Sequence, residues 1–244
     1  MSNNKTKILV LVEGAKTDVR LMNHLIKIYE IDLKYTIVSY NTNIYTLYNE
    51  MFKDKDPDSM DLLQVLKERE SDNDKKAIFD EKYSDILLIF DLDPHDPQFS
   101  NLKITEMLNY FVESSDMGKL YLNYPMVESF YHMTDIPDSE FINRYVSMAE
   151  LKNGLYKQRV NMENRNKNYS KFAVTKSECN IVISENIKKA WHILDKFNED
   201  YILPKGSDIL TSQLNKIDIE GILFVLCTCI FFIVDYNPRL IKES

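Results

Sequence analysis

The sequence predicts an α/β fold in which a mainly parallel four-stranded sheet carries helices on both faces and is followed by a mostly helical C-terminal part. The first half of the chain alternates short apolar runs, rich in β-branched residues, with segments of helical periodicity. Beyond Pro125 the β-like runs fade and helical patterns dominate. Strands that alternate with helices are typical of parallel sheets with right-handed crossovers.

Four strands are predicted, at residues 7–12, 33–40, 85–90 and 119–123. The first and third are continuously apolar, as strands buried on both faces are. After the first strand, apolar residues at helical spacing indicate a helix with Thr17 or Asp18 as its cap. Residues 44–82 have a polar, helix-like pattern with an exposed loop at 68–76, and another helix is predicted at 104–112.

The second half of the chain is predicted to be mostly helical. Its helices are placed at residues 127–133, 139–148, 184–197 and 217–235. The chain is therefore expected to divide into a sheet-containing domain, residues 1–135, and a helical region, residues 136–244, that packs on it.

One apolar segment bears on membranes and partners. Residues 222–234 contain no charge, but a membrane-spanning helix needs about 20 residues and this run has only 13. A buried helix is therefore expected, and its lack of a polar stripe makes it a candidate interface in a homo-oligomer. The polar first six residues leave no room for a signal peptide, so a cytoplasmic protein without a membrane anchor is expected.

The net charge of −8 argues against a protein that coats nucleic acid indiscriminately. Residues 152–176 nevertheless carry seven lysines and arginines against one acid, Glu163, together with aromatic and asparagine side chains. Phosphate backbones and unstacked bases favour such segments, although a solvated surface segment has the same composition. The candidate nucleic-acid contacts are Lys157, Arg159, Arg165, Lys167 and Lys171.

Acidic residues follow three of the predicted strands. Glu13 and Asp18 follow the first strand, Asp91 and Asp93 the third, and Glu128 the fourth. The carboxyl ends of parallel strands share one edge of a sheet, so these carboxylates are expected to converge in a crevice. Carboxylate oxygens suit Mg²⁺ or Mn²⁺. Helix capping by Glu13, Asp18 and Glu128, and a solvated loop at Asp91 and Asp93, are the alternatives.

These motifs resemble the toprim fold, which topoisomerases, bacterial primases and a group of anti-phage nucleases share. Its hallmarks are a Glu after the first strand, here Glu13, and an Asp-x-Asp after a later one, here Asp91-Leu92-Asp93. The run from Glu13 to Asp18 (Glu-Gly-Ala-Lys-Thr-Asp) resembles the first site of overcoming-lysogenization-defect (OLD) and RloB-like proteins. The run Asn-Tyr-Pro-Met-Val-Glu, ending at Glu128, is similar to their Asn-Pro-x-x-Glu element.

The resemblance covers residues 7–133 and implies a nuclease that cleaves DNA or RNA with Mg²⁺ or Mn²⁺. It implies that Asp91 and Asp93 hold a metal, that Glu13 binds it or exchanges a proton, and that Lys16 contacts a phosphate. A second cation would lie between Glu13, Asp18 and Glu128.

The same resemblance implies the toxic effector of an abortive-infection system, controlled by an ATPase partner of the ABC/SMC type. The chain has no P-loop motif and is not expected to be an ATPase itself. A non-catalytic binding or assembly subunit with the same fold is the alternative. A toprim enzyme that acts on nucleotides or makes primers is a third possibility, less favoured because primase-like accessory motifs are missing.

Overall fold

A computed structural model of the chain describes residues 7–31, 34–53, 56–115, 117–197 and 202–242. Its main sheet has five strands, one more than predicted. They are β1 (Lys7–Val12), β2 (Lys34–Ser39), β3 (Asp85–Asp91), β4 (Val112–Glu113) and β5 (Gly118–Asn123). Their order across the sheet is β2-β1-β3-β5-β4, with β4 antiparallel to β5 and the other neighbours parallel.

Helices connect and surround the strands. Those of the first half are α1 (Thr17–Ile28), α2 (Ile44–Met51), α3 (Leu62–Arg69), α4 (Asn73–Lys76) and α5 (Asn101–Tyr110). Those of the second half are α6 (Met148–Lys152), α7 (Tyr156–Glu163), α8 (Lys176–Ile193), α9 (Gly206–Glu220), α10 (Phe232–Tyr236) and α11 (Arg239–Lys242). Among the described residues, none of these helices combines the length and the apolar character needed to cross a membrane.

Burial explains why the apolar runs form strands at the centre of the fold. Five consecutive residues of β1 and six of β3 are buried, so both faces of the sheet are covered at these two strands. On α1, the residues that recur at helical spacing face the core, and Asp18 is buried beside them. Polar side chains fix the helix starts, with Asn43 capping α2, Asp61 capping α3 and Thr175 forming a capping box on α8.

Strand β4 was not predicted because it has only two residues, too few for a periodic pattern. It returns antiparallel beside the start of β5, where the Leu120 amide donates to the Phe111 carbonyl at 2.9 Å. Leu33, at which the predicted second strand began, lies outside the described residues, and the predicted loop at 68–76 contains the short helix α4. The α/β class and the mainly parallel sheet are confirmed.

The second half contains less α-helix than predicted. The segment at 127–133 forms a 3-10 helix, Val127–Tyr131, in place of an α-helix. The segment at 139–148 is a 3-10 helix, Phe141–Asn143, followed by the strand β6 (Tyr145–Ser147). The middle residue of β6 is buried and its neighbours are more exposed, which is the period-2 pattern of a strand.

The prediction of a helix at 222–234 is wrong. The segment starts as strand β7 (Ile222–Phe224), which pairs with β6, and continues through a bridge between Leu226 and Tyr124. A 3-10 helix, Cys229–Phe231, then leads into α10. A continuous apolar run does not distinguish a strand from a helix, and here contacts with β5 decide, because Thr228 Oγ1 donates to the Leu122 carbonyl at 2.6 Å.

This apolar segment is covered within its own chain. Leu226, Ile230 and Ile233 have no exposed surface, and Val225 and Cys227 have none either. The predicted homo-oligomer contact therefore has neither one continuous helix over 222–234 nor an exposed apolar face at these residues. The segment instead bonds to the end of β5 and the residue after it, through Thr228 and Leu226.

Ile230→Ala should test this burial directly. Removing a fully buried Ile side chain should lower the free energy of unfolding by about 2–5 kcal/mol, since a cavity remains. The matched control is Ile219→Ala, because the Ile219 residue is 82% exposed and its loss should change stability by less than about 0.5 kcal/mol. Urea denaturation of the purified variants measures both. Equal stability of the two variants would contradict the buried placement.

Candidate metal centre

Backbone pairing brings the predicted acidic residues to one edge of the sheet. Glu13 continues β1, and its amide donates to the Ile89 carbonyl of β3 at 3.0 Å. Asp91 ends β3 in register with Asn123 at the end of β5. The Asp93 amide donates to the Pro125 carbonyl at 3.2 Å, which ties the loop after β3 to the loop after β5. The parallel arrangement thus places side chains distant in sequence around one crevice.

Three of the carboxylates form a compact group. One oxygen each from Glu13, Asp91 and Asp93 lie within 4.8 Å of one another, close enough to hold one metal ion. The Asp91 amide donates to Glu13 Oε2 at 3.2 Å, and Asn123 Nδ2 donates to Asp91 Oδ1 at 3.3 Å. These contacts orient two of the three carboxylates before any ligand arrives.

The backbone at Asp93 has a positive φ of 40°. Among residues with a side chain, Asp and Asn tolerate the left-handed region best, because their short polar groups bond locally. A conformation of this kind outside glycine costs energy and is found preferentially at functional sites. A turn starts at Asp93, where the Asp96 amide donates to the Asp93 carbonyl at 2.9 Å.

Asp18 and Glu128 lie beside this group but outside its 4.8 Å radius. Both are buried, and the charge of Glu128 raises the pKa of Asp18, so they share the crevice. The backbone of Gly14 lies beside the Asp18 carboxylate and lowers its pKa, against the larger effect of burial. A Cβ atom at Gly14 would lie only 2.6 Å from Asp18 Oδ2, so the close approach explains why glycine follows Glu13.

Three oxygens of the crevice lack a hydrogen-bond partner within the described part of the chain. They are Asp18 Oδ1, Asp93 Oδ1 and Glu128 Oε2, and each is buried away from solvent. Nearly all buried polar atoms in proteins are hydrogen-bonded, because an unpaired buried charge is costly. Carboxylate oxygens without a protein partner, close to one another, are the ligands that a hard divalent cation takes. The donor set therefore fits a divalent metal ion that prefers oxygen ligands.

Burial and mutual repulsion shift the acidity of the group. Burial, together with the charge of Asp93, raises the pKa of Glu13 to about 8. Burial raises the pKa of Asp18 and of Asp93 to about 6 each. Asp91 is buried, and burial together with the charge of Glu13 raises its pKa well above the ordinary value. The group consequently favours bound protons or a bound cation over bare charge.

Of the predicted basic residues, the structure brings Lys157 to the acidic crevice. Its ammonium lies 3.4 Å from Glu128 Oε1, although 60% of the side chain is exposed. Partial burial lowers the pKa of Lys157, but the charges of Glu128 and Asp91 outweigh it and raise the pKa. Lys16 is exposed at the N-terminal boundary of α1, and its ammonium makes no hydrogen bond or ion pair with another described residue.

The other predicted nucleic-acid contacts divide into two kinds. Arg159 binds the carboxylates of Glu163 and Glu150 at 3.1 and 3.3 Å, and Arg165 binds Glu178 at 3.1 Å. These two guanidinium groups are committed to contacts within the chain. Lys167 and Lys171 are exposed, and neither side chain bonds to another described residue.

Sequence reasoning gave Asn123 only as part of a motif and did not assign it a role. Its Oδ1 accepts from the Cys229 amide at 3.3 Å, while its Nδ2 holds Asp91. The buried amide thus links the C-terminal segment to the carboxylate group. The only available signal was a polar residue at the end of an apolar strand. Tyr45 was also missed, and its hydroxyl donates to the Leu92 carbonyl between Asp91 and Asp93.

Comparison with known proteins does not assign a family. No protein-family model, curated protein or solved structure matches this chain. The chemistry of the site therefore rests on its own residues.

The metal-free protein should lose stability as pH rises from about 4 to about 8. In that window the folded state binds more protons than the unfolded chain, because folding raises the pKa of Glu13, Asp18, Asp91 and Asp93, so the free energy of unfolding falls. Asp91→Asn removes one charge and should be more stable than the wild type by more than about 1 kcal/mol at pH 8 in EDTA.

Urea titrations at pH 5 and pH 8 measure this difference. Asp74→Asn, an exposed carboxylate on α4, is the control and should follow the wild type. Adding Mg²⁺ should restore much of the lost stability of the wild type and little of that of Asp91→Asn. A wild type that is more stable than Asp91→Asn at pH 8 in EDTA would refute this account of the crevice.

Proposed function

We propose that this chain is a Mg²⁺-dependent nuclease with a toprim-like catalytic domain, and that it cleaves phosphodiester bonds in DNA or RNA. The observation that carries the proposal is the crevice itself, in which a compact group of Glu13, Asp91 and Asp93 shares its space with Asp18 and Glu128, each of which has an unpartnered carboxylate oxygen. Keeping these charges buried is unfavourable without a cation. A role in a metal-dependent reaction explains why the protein buries these carboxylates despite the unfavourable free energy.

The donor set divides naturally between two cations. Glu13, Asp91 and Asp93 would hold one, and the unpartnered oxygens of Asp18 and Glu128 would contribute to a second. A divalent cation bound here would neutralise phosphate charge and lower the pKa of a bound water.

The chain's own side chains supply the remaining steps. The exposed Lys157 ammonium beside Glu128 is placed to bind a phosphate oxygen of the substrate and to hold the backbone over the carboxylates. In the metal-free protein, burial and the charge of Asp93 raise the pKa of Glu13 to about 8, so a bound cation would replace a proton on this carboxyl. Asn123 holds Asp91 in place through its amide.

The resemblance to toprim nucleases of anti-phage systems supplies the biological part of the proposal. The motif residues Glu13, Asp91, Asp93 and Glu128 lie around one crevice, which is the arrangement that the resemblance requires. On that basis the chain is the toxic effector of an abortive-infection system, controlled by an ABC/SMC-type ATPase partner. Its overall acidity agrees with a partner that contributes basic surface for the substrate.

Asp91→Asn and Asp93→Asn should each lower the rate of cleavage at least about a hundredfold, since each removes a charged ligand from the metal site. Asn is chosen because it tolerates the positive φ at Asp93. The assay follows plasmid DNA, single-stranded DNA and total tRNA with the purified chain in Mg²⁺ or Mn²⁺.

The matched control is Asp74→Asn, which should cleave at the wild-type rate. If the variants at Asp91 and Asp93 retain full activity, the cleavage has another source and the proposal fails. If the wild type binds metal but stays inactive, alone and with the product of a neighbouring ATPase gene, the alternative of a non-catalytic subunit is favoured.

Lys157→Gln should lower kcat/KM by about tenfold or more, because the variant cannot make a charge-assisted hydrogen bond to phosphate at the carboxylate crevice. Lys152→Gln is the matched control, as Lys152 is also exposed and belongs to the same basic stretch but has no ion pair with the acidic group. Steady-state cleavage of a labelled oligonucleotide measures both variants. Equal effects of the two substitutions would show that only overall charge matters.

A further inference from the structure

An aromatic side chain from the C-terminal half lies beside the carboxylate crevice. Glu128 and Tyr131 are three residues apart in the 3-10 helix Val127–Tyr131, and side chains at that spacing lie on the same side of such a helix. The ring of Tyr169 stacks on that of Tyr131, with centroids 4.0 Å apart and planes 4° apart. Tyr169 is therefore next to Glu128, whose charge contributes, after burial, to raising the pKa of its hydroxyl.

The Tyr169 ring is held in position by the buried side chain of Tyr131, on which it stacks. Tyr131 is buried, and its ring makes edge contacts with Phe130 and Phe172. Asn164 Nδ2 also donates to the Tyr131 carbonyl at 2.6 Å. One face of the Tyr169 ring packs on Tyr131, and the residue is partly exposed. A rigid, partly exposed ring loses little entropy when a planar ligand stacks on it.

The segment that carries Tyr169 is basic and internally braced. Lys167 and Lys171 stand two residues before and after the ring, both exposed and without a bonded partner among the described residues. The Asn168 side chain accepts from the backbone amide of Ser170 at 3.0 Å, and Asn166 Nδ2 donates to the Lys171 carbonyl at 2.7 Å. An ordered turn thus presents a lysine, an aromatic ring and a second lysine in succession.

We propose that Tyr169 stacks on an unpaired nucleobase while Lys167 and Lys171 bind the neighbouring phosphates, so that the substrate of this site is single-stranded nucleic acid. This rests on the proposed nuclease function and defines its substrate class. A base in a duplex is stacked on both faces and cannot reach a protein ring without leaving the helix. Aromatic rings between basic residues are the usual means by which proteins bind single strands.

The first test measures binding rather than cleavage. Fluorescence anisotropy in EDTA compares a labelled single-stranded DNA, the same sequence as RNA, and the DNA duplex. The single strands should bind at least about tenfold more tightly than the duplex. Tyr169→Leu should weaken single-strand binding by about fivefold to a hundredfold, the effect of losing one base–aromatic stack, whereas Tyr169→Phe should bind like the wild type.

The matched control is Tyr236→Leu. Tyr236 is also partly exposed, but it lies near Asp85 at the opposite end of the strands. Binding of both DNA and RNA would show that the ring reads the base alone, and a preference for one would identify the sugar. Tyr169→Leu and Tyr236→Leu with equal affinity, duplex binding equal to single-strand binding, or no binding by the wild type would each overturn the proposal.

A second measurement does not depend on how well Tyr169→Leu folds. In Tyr169→Trp the new indole should be quenched when the single-stranded oligonucleotide is added, whereas in Tyr236→Trp it should not change. Lys167→Gln combined with Lys171→Gln should reduce the slope of log K against log salt by roughly 0.7 for each phosphate that the variant no longer binds. An unquenched indole at position 169, or an unchanged slope, would contradict base stacking and phosphate binding respectively.

These readouts separate the two proposals. Loss of binding in Tyr169→Leu without any cleavage by the wild type would retain the single-strand site and reject the nuclease. Cleavage that depends on Asp91 but is equal for single strands and duplexes, with Tyr169→Leu at the wild-type rate, would retain the nuclease and reject the stacking role.

Discussion

Repulsion among buried carboxylates is the constraint on which the site depends. Glu13, Asp91 and Asp93 converge at the carboxyl edge of a parallel sheet, where burial removes the solvent that would otherwise screen them. Such a group stays charged only if a cation compensates it, and otherwise retains protons. The sheet therefore provides the rigidity to hold like charges together, and under the proposed function a divalent cation would compensate them.

The C-terminal half completes this site. Its buried segment runs beside β5 and fixes Asn123, which in turn orients Asp91. Lys157 reaches Glu128 from α7, and Tyr169 reaches the same side of the crevice by stacking on Tyr131. One half thus contributes the acidic ligands and the other contributes positive charge and an aromatic surface.

Strong local patterns made the first half predictable from sequence. A continuously apolar strand that ends in Glu13 or Asp91 has one placement in a parallel sheet, so the convergence of these residues followed from topology. The conformation of the segment around Ile230 could not be predicted from the sequence, because a uniformly apolar run has no periodicity. Its conformation depends on tertiary contacts, such as the hydrogen bond to β5. The ion pair of Lys157 with Glu128 depends on tertiary packing and likewise left no local signal.

Crystals grown with Mn²⁺ and measured at the manganese absorption edge provide the most direct test of the central claim. The account predicts an anomalous density peak ligated by Glu13, Asp91 and Asp93, with loss of that peak in crystals of Asp91→Asn. A well-ordered crevice without anomalous density at this edge of the sheet would contradict it. In that case the buried carboxylates would have to be neutralised by protons and by Lys157 alone.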